Sequence, residues 1–374
     1  MNILYVYEFY TPHVGGGEIA LQHLAEGVAA RGHTVQLVTS KLPGTAGEET
    51  LNGVHIHRVS APRLGARYWF MLLSLKPIFS LAKSADLIHT FTYTAVPPAW
   101  VVATLRHKKI VLTVHEFWGK LWKSFSGLNP VSALLHRWFE RSLFFLPMTQ
   151  VVAISHATEK NLREIGVSAQ KLSVIYQGID QELFKRPAEH EIMALRNKMN
   201  VADQTFVYLF FGRPGISKGL EYLLRAVPEI TQNIPNSQLW LILAKEPTAQ
   251  YEKMLELIKQ LGIESSVRLI DPVERQKLPA YLAAAQTVVV PSLSEGFGFS
   301  VAEACAVGTP VIASSVGSIP EVISGKYILV DAATPLAIAQ GVNKIHQAPF
   351  PQTPLKTVAW SATVKKHILL YASL

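Results

Sequence analysis

One stretch constrains this chain more than any other: TVVVPSLSEGFGFSVAEACAVGTPVIA, residues 287–313. Thr287 to Val290 is a short run of β-branched residues closed by Pro291 and Ser292, as expected of a strand covered on both faces. A polar turn with Glu295 and the run Gly296-Phe297-Gly298-Phe299 follow, then an apolar helical segment bearing Glu303 and Cys305. Gly308-Thr309-Pro310 stops that helix, and Val311 to Ala313 is a second buried strand. In an open parallel sheet, ligands gather where strands end and helices begin. Gly296 and Gly298 let the backbone approach a ligand, and the helix N-terminus offers unpaired N–H groups to an anion. Glu295 sits beside whatever the loop holds, and Glu303 lies deeper, inside the helix. Carboxylates so placed accept hydrogen bonds from hydroxyls, in which sugars and ribose are dense. The plainer reading is a solvated turn residue and a helix-face charge; two aromatics exposed in the intervening turn weigh against it.

The strand–loop–helix unit recurs along the chain. In the first half, Asn2 to Tyr7 is a strand, Pro12 to Glu18 a turn carrying Gly15, Gly16 and Gly17, Ile19 to Ala30 a helix, and Thr34 to Thr39 the next strand. Dinucleotide binding is the rival here, but the pattern is GGGE rather than GxGxxG, and the second strand ends in Thr39-Ser40 instead of an acidic residue for a ribose. Further strands are expected at Val54–Val59, Asp86–Thr90, Ile110–Val114 and Val151–Ile154. His115 and Glu116 follow the third of these at its carboxyl end, where chemistry is usually done, although a lone loop histidine is more often a surface residue.

The second half restarts with the strand Thr205–Phe211 and the loop Gly212-Arg213-Pro214-Gly215-Ile216-Ser217-Lys218-Gly219, then a helix over Leu220–Ile230. Two cations beside a helix N-terminus make a pyrophosphate clamp, Arg213 forking onto two oxygens and Lys218 acting as a point charge; the alternative is an ordinary solvated loop. Strands at Gln238–Leu243, Val267–Ile270 and Tyr327–Val330 and helices at Tyr251–Leu261 and Leu278–Ala285 complete the alternation. Residues 348–354, with three prolines, read as a loop, and Trp360–Leu374 as a final helix.

Glu295-Gly-Phe-Gly-Phe-Ser-Val-Ala-Glu303, followed by Ala-Cys-Ala-Val-Gly-Thr-Pro-Val-Ile, resembles the donor-binding signature of retaining GT-B glycosyltransferases of family 4. The pair Gly-Arg213…Lys218-Gly resembles the family's diphosphate-binding pair, Val-Leu-Thr-Val-His115-Glu its strand ending in His-Asp, and Gly16 and Gly17 its phosphate-facing glycine loop. Glu116 stands where the family has Asp, and Tyr176-Gln177 where it has Pro-Asn. The resemblance implies two Rossmann-like α/β domains facing each other across a cleft, an acceptor domain over 1–186 and a donor domain over 187–357, with the helix at about 358–374 packing back on the first. It further implies a metal-independent hexosyltransferase without a cofactor. Arg213 and Lys218 would hold the diphosphate, Glu303 the ribose, and Glu295 with Gly296, Phe297, Gly298 and Phe299 the donor sugar, while His115 would orient sugar and acceptor. The donor would be a UDP- or GDP-sugar and the acceptor a glycan or lipid-linked hydroxyl. Epimerisation or phosphorolysis on the same fold, or a module that only binds nucleotide sugars, remain the rival readings.

Composition sets bounds on these readings. The chain's 374 residues allow two domains. A single cysteine excludes an internal disulfide and fits a reducing cytoplasm. Nothing at the start reads as a signal peptide. A net charge of +8 suggests an anionic partner. Nucleic acid ranks last, since dense basic runs, zinc-finger spacing and RNP-type strands are missing. Two stretches, Arg63–Lys83 and Lys120–Phe145, combine aromatic and basic residues without an apolar run long enough to span a bilayer. They are expected either to touch an anionic membrane surface, on its inner face, or to be core helices with a solvated basic side.

Overall fold

The computed structural model describes residues 1–13, 15–62, 64–331, 334–347, 352–356 and 358–374. Of the loop expected over 348–354, residues 348–351 lie outside these. The chain forms two compact units. The first comprises Met1–Lys123, Leu128–Gly178 and Val358–Leu374, and the second Ser124–Gly127 and Ile179–Thr357. The break after Gly178 precedes the expected 186/187 boundary. Phe184 is fully buried under the guanidinium of Arg275, 4.8 Å from its ring centre, and so is already part of the second unit.

The first unit is built on an eight-stranded sheet. Its strands are β1 Asn2–Val6, β2 Thr34–Ser40, β3 Glu48–Leu51, β4 Val54–Val59, β5 Leu87–Phe91, β6 Lys109–Val114, β7 Gln150–Ala153 and β8 Leu172–Val174. The order is β3-β4-β2-β1-β5-β6-β7-β8, parallel throughout except for β3, which runs antiparallel on β4. The sequence reading does not anticipate β3. It is a half-exposed edge strand with two glutamates in four residues, and such an edge carries no apolar run to reveal it. Both sheet faces are covered. Leu4, Val6, Ile88 and Leu112 point into one core layer, and Ile3, Tyr5, Leu37 and Val111 into the other, against the helix Gly16–Ala29.

The C-terminal helix Trp360–Ser373 is an integral part of this unit. Its Thr363 hydroxyl donates to the Tyr176 carbonyl at 2.8 Å, and the Tyr371 hydroxyl meets Nδ1 of His89 at 2.6 Å and the Tyr5 hydroxyl at 3.1 Å. Gly27 is flush against Val364: a Cβ there would come within 2.7 Å of its Cγ2.

The second unit has six parallel strands: β9 Phe206–Gly212, β10 Ser237–Leu243, β11 Val267–Ile270, β12 Thr287–Val290, β13 Val311–Ser314 and β14 Tyr327–Val330. Their order, β11-β10-β9-β12-β13-β14, reverses between β9 and β12. At such a switch point the loops leaving two neighbouring strands diverge to opposite faces and open a crevice at the carboxyl edge of the sheet. The loop with Arg213 and Lys218 leaves β9, and the loop with Glu295 leaves β12. In the first unit the same reversal lies between β1 and β5, and the glycine loop leaves β1.

Candidate active site

The two loops at the switch point of the second unit are tied together by backbone and charge. The Leu293 amide donates to the Ser217 carbonyl at 2.7 Å, fixing the β12 loop against the short helical turn Ile216–Lys218. Lys218 Nζ then donates to Glu295 Oε2 at 2.8 Å, and the Ser292 hydroxyl donates to the same oxygen at 3.2 Å. Gly219, at φ +66°, starts the helix Leu220–Asn233, and a Cβ there would run into the Pro291 carbonyl oxygen. Only glycine lets the cation loop come this close to the β12 loop. Arg213 is exposed on the same loop and makes no ion pair among the described residues. The Glu295 carbonyl accepts from the Ser318 amide at 3.2 Å, so the segment after β13 closes the far side of the loop.

Gly298, at φ +95°, caps the helix Phe299–Val307, and Gly308, at φ +83°, ends it. That helix is buried along most of its length, Glu303 included. The carboxylate of Glu303 accepts from Arg275 at 2.6 Å. Burial raises its pKa, and the guanidinium opposes that rise. Phe297 is buried and packs edge-on against Phe299, with ring centres 5.0 Å apart. The expectation of two exposed aromatics therefore fails for Phe297, which anchors the loop from beneath. Arg275, through its pairing with Glu303, joins the candidate site, and the sequence reading does not single it out. Its position in the loop following β11, at the same sheet edge, was the available signal.

In the first unit, Gly17 meets the end of β1 and the end of β6. A Cβ on Gly17 would collide with the Tyr7 hydroxyl and lie 3.4 Å from His115 Cε1. His115 stacks on Phe91, with ring centres 5.5 Å apart and planes 12° from parallel. Its Nε2 is sealed from solvent and has no hydrogen-bond partner, and burial pushes its pKa down to about 4. The ring is therefore neutral near pH 7, able to accept or donate one hydrogen bond but carrying no charge. Tyr7 and Phe91 are aromatic neighbours that the sequence reading did not single out.

The segment after His115 is held by Glu140, which reaches out from the helix Pro130–Leu143. Its carboxylate accepts from the backbone amides of Trp118 and Gly119, at 2.8 and 2.7 Å, and from the Trp122 indole at 3.0 Å. Burial raises the pKa of Glu140 against these hydrogen bonds. Nearby, Glu8 leaves β1 half-wrapped. It accepts from the Thr94 hydroxyl and pairs with Arg67 at 3.2 Å, and burial again raises its pKa.

Two profiles match the chain along nearly its whole length: Glycosyltransferase Family 4 over residues 14–183 and Glycosyl transferases group 1 over residues 192–357. The chain belongs to glycosyltransferase family 4. Among its relatives, an uncharacterised glycosyltransferase of Methanocaldococcus jannaschii is 30% identical over 92% of this chain and 89% of its own length. D-inositol 3-phosphate glycosyltransferase of Corynebacterium diphtheriae is 30% identical over 70% of this chain and 62% of its own. Solved structures of similar fold include sucrose-phosphate synthase from Thermosynechococcus elongatus, with a TM-score of 0.79 at 23% identity over 100% of this chain and 99% of that one. Anabaena HepE in complex with UDP and glucose has a TM-score of 0.77 at 20% identity, covering both chains completely. This family 4 member is thus a glycosyltransferase of GT-B fold.

Proposed function

We propose that this enzyme moves a hexosyl residue from a UDP- or GDP-sugar to a hydroxyl of a lipid-linked or cell-envelope glycan, with retention at the anomeric carbon and without a metal. The observation that carries this reading is the Lys218–Glu295 ion pair, which joins two loops that diverge at the switch point of the second unit, with Arg213 exposed on the first of those loops. Transfer breaks the bond between the anomeric carbon and the diphosphate oxygen, and negative charge grows on the leaving group. Arg213 and Lys218 offset that charge in the place a divalent cation takes elsewhere. Lys218 is partnered by Glu295 in the free protein, so an arriving diphosphate competes for the lysine and leaves the Glu295 carboxylate to accept from sugar hydroxyls. Glu303, held by Arg275, is the hydroxyl acceptor assigned to the ribose.

On the acceptor side, the unpartnered Nε2 of His115 fits a hydroxyl of the donor sugar or acceptor. The neutral His115 ring orients that hydroxyl through a hydrogen bond at Nε2. The acceptor hydroxyl adds to the face of the sugar that the diphosphate leaves. Its proton passes to the departing phosphate oxygen, so the charge balances without a protein base. UDP in a solved structure of similar fold is consistent with a nucleoside diphosphate as the product.

The test is to run the reaction in excess chelator and read the anomeric configuration of the new glycoside by NMR. Full turnover with the donor's configuration kept supports the reading. Inversion, or activity lost with chelator and restored by a divalent cation, contradicts it.

A further inference from the structure

We propose that the outward face formed by the helices Ala66–Leu73, Leu75–Leu81 and Pro130–Leu143 docks on an anionic lipid bilayer. The helix Pro130–Leu143 is built inside out. A helix lying on a soluble core turns its apolar stripe inward. Here the fully buried residues are only Ala133, Glu140 and Leu143, with Phe139 partly buried beside them, and the carboxylate of Glu140 is spent on the amides of the Trp118–Gly119 segment. The stripe Val131, Leu134, Leu135 and Trp138 follows helical spacing yet faces solvent, at 68, 50, 63 and 64% exposure. Phe145 continues it past the helix end at 71%. A second apolar patch, Tyr68, Trp69, Leu72 and Leu73, is exposed on the helix Ala66–Leu73. Phe70 and Leu143, the buried anchors of the two helices, share one core layer, so both helices cover the same face of the sheet.

Charge names the occupant. Residues 66–83 and 120–145, which carry this face, hold seven Lys and Arg against one acid, Glu140, a net of +6 within a chain of net +8. Arg67, Lys76, Lys83, Lys120, Lys123 and Arg141 are exposed, while Glu140 is turned inward. A second copy of the chain would set this positive field against itself, whereas anionic headgroups meet it with opposite sign. Apolar and aromatic groups interleaved with cations suit the headgroup boundary, where rings sink and ammonium groups stay wet. At 14 residues, or about 21 Å, the helix Pro130–Leu143 is too short to cross a hydrocarbon core of about 30 Å. No helix among the described residues is long and apolar enough to span a membrane. The element lies on the surface. This proposal rests on the transfer reading only in that a membrane-borne acceptor would give the docking its purpose.

The experiment is vesicle flotation of the full chain with no donor present, so that its failure says nothing against the transfer reading. Expected is co-flotation with equimolar phosphatidylcholine–phosphatidylglycerol vesicles, none with phosphatidylcholine alone, and release in 0.5 M salt as screening shortens to roughly 4 Å. The double variant L135S/W138S should float about tenfold less or lower while keeping the wild-type melting temperature, because both side chains are already exposed. The variant Y68S/W69S provides an independent second disruption. Absence of wild-type flotation at low salt overturns the proposal, as does flotation undiminished in both variants. A dimer in sedimentation velocity that the substitutions abolish, with no vesicle binding, assigns the face to a second copy instead and overturns it equally.

Discussion

Lys218 and Glu295 come from loops 77 positions apart and meet at 2.8 Å, each the nearest opposite charge to the other at the switch point of the second sheet. The contact stores a choice. While paired, Lys218 and Ser292 both donate to Oε2 of Glu295, and in the proposed reaction a diphosphate sugar engages the lysine and the glutamate by separating them. Removing Glu295 alone should therefore tighten binding of the free nucleoside diphosphate while lowering turnover. Glu295→Gln is expected to strengthen UDP or GDP binding by calorimetry and to reduce kcat on the order of 10²-fold, the range for loss of one positioned transition-state contact. Weaker nucleotide binding in that variant would contradict the pairing account.

Gly219→Ala tests the geometry that allows the pairing. The added methyl meets the Pro291 carbonyl and imposes a left-handed backbone on alanine. We expect a stability loss of roughly 2 kcal/mol or more, read as a lowered urea midpoint at unchanged m-value. Gly262→Ala is the control: it shares a positive φ of +64°, but open space surrounds its Cβ position, so it should lose less.

Acid should destabilise the first unit for a defined reason. His89, His115 and His367 are buried and their pKa values are lowered by desolvation, those of His115 and His367 to about 4. As pH falls from about 6.5, the unfolded chain binds protons that the native chain refuses, so native stability drops, and for His115 and His367 the drop ends as the native rings titrate near pH 4. Melting temperatures between pH 7.5 and 4.5 should fall, and His367→Gln should flatten that slope. A pH-independent melt in the wild type would contradict the assignment.

Glu140→Gln weakens the clamp on the segment after His115, leaving three N–H donors to share one carbonyl oxygen. The expected cost is about 1–3 kcal/mol in stability, with kcat lowered and donor KM little changed, because the clamped segment follows the end of β6 in the first unit. A change confined to donor KM would place the clamp's effect on the nucleotide instead.

How far the sequence reveals this molecule can be judged residue by residue. Apolar runs such as Val288–Val290 and Ile110–Val114 are buried on both sheet faces and carry their own signal, so the parallel strands were legible. β3 was not, because an edge strand of Glu48-Glu49-Thr50-Leu51 looks like a loop. Arg213, Lys218, Glu295 and His115 stand out because charged or ring residues interrupt apolar strand ends. Arg275 escaped notice, since its pairing with Glu303 joins elements 28 positions apart and only the fold creates it. Phe297 was read as exposed for the same reason: nothing local says which of two aromatics in a turn will face the core.

The measurement that bears most directly on the central claim is a donor panel. The purified protein would be incubated with UDP-, GDP- and ADP-sugars and nucleoside diphosphate release recorded, alongside the double variant R213A/K218A. The account predicts release from a UDP- or GDP-sugar that the double variant lowers on the order of 10³-fold or more, with its fold intact by circular dichroism. Release that survives loss of both cations, or neither release nor binding with any nucleotide sugar, would contradict the assignment of the site to the switch point of the second unit.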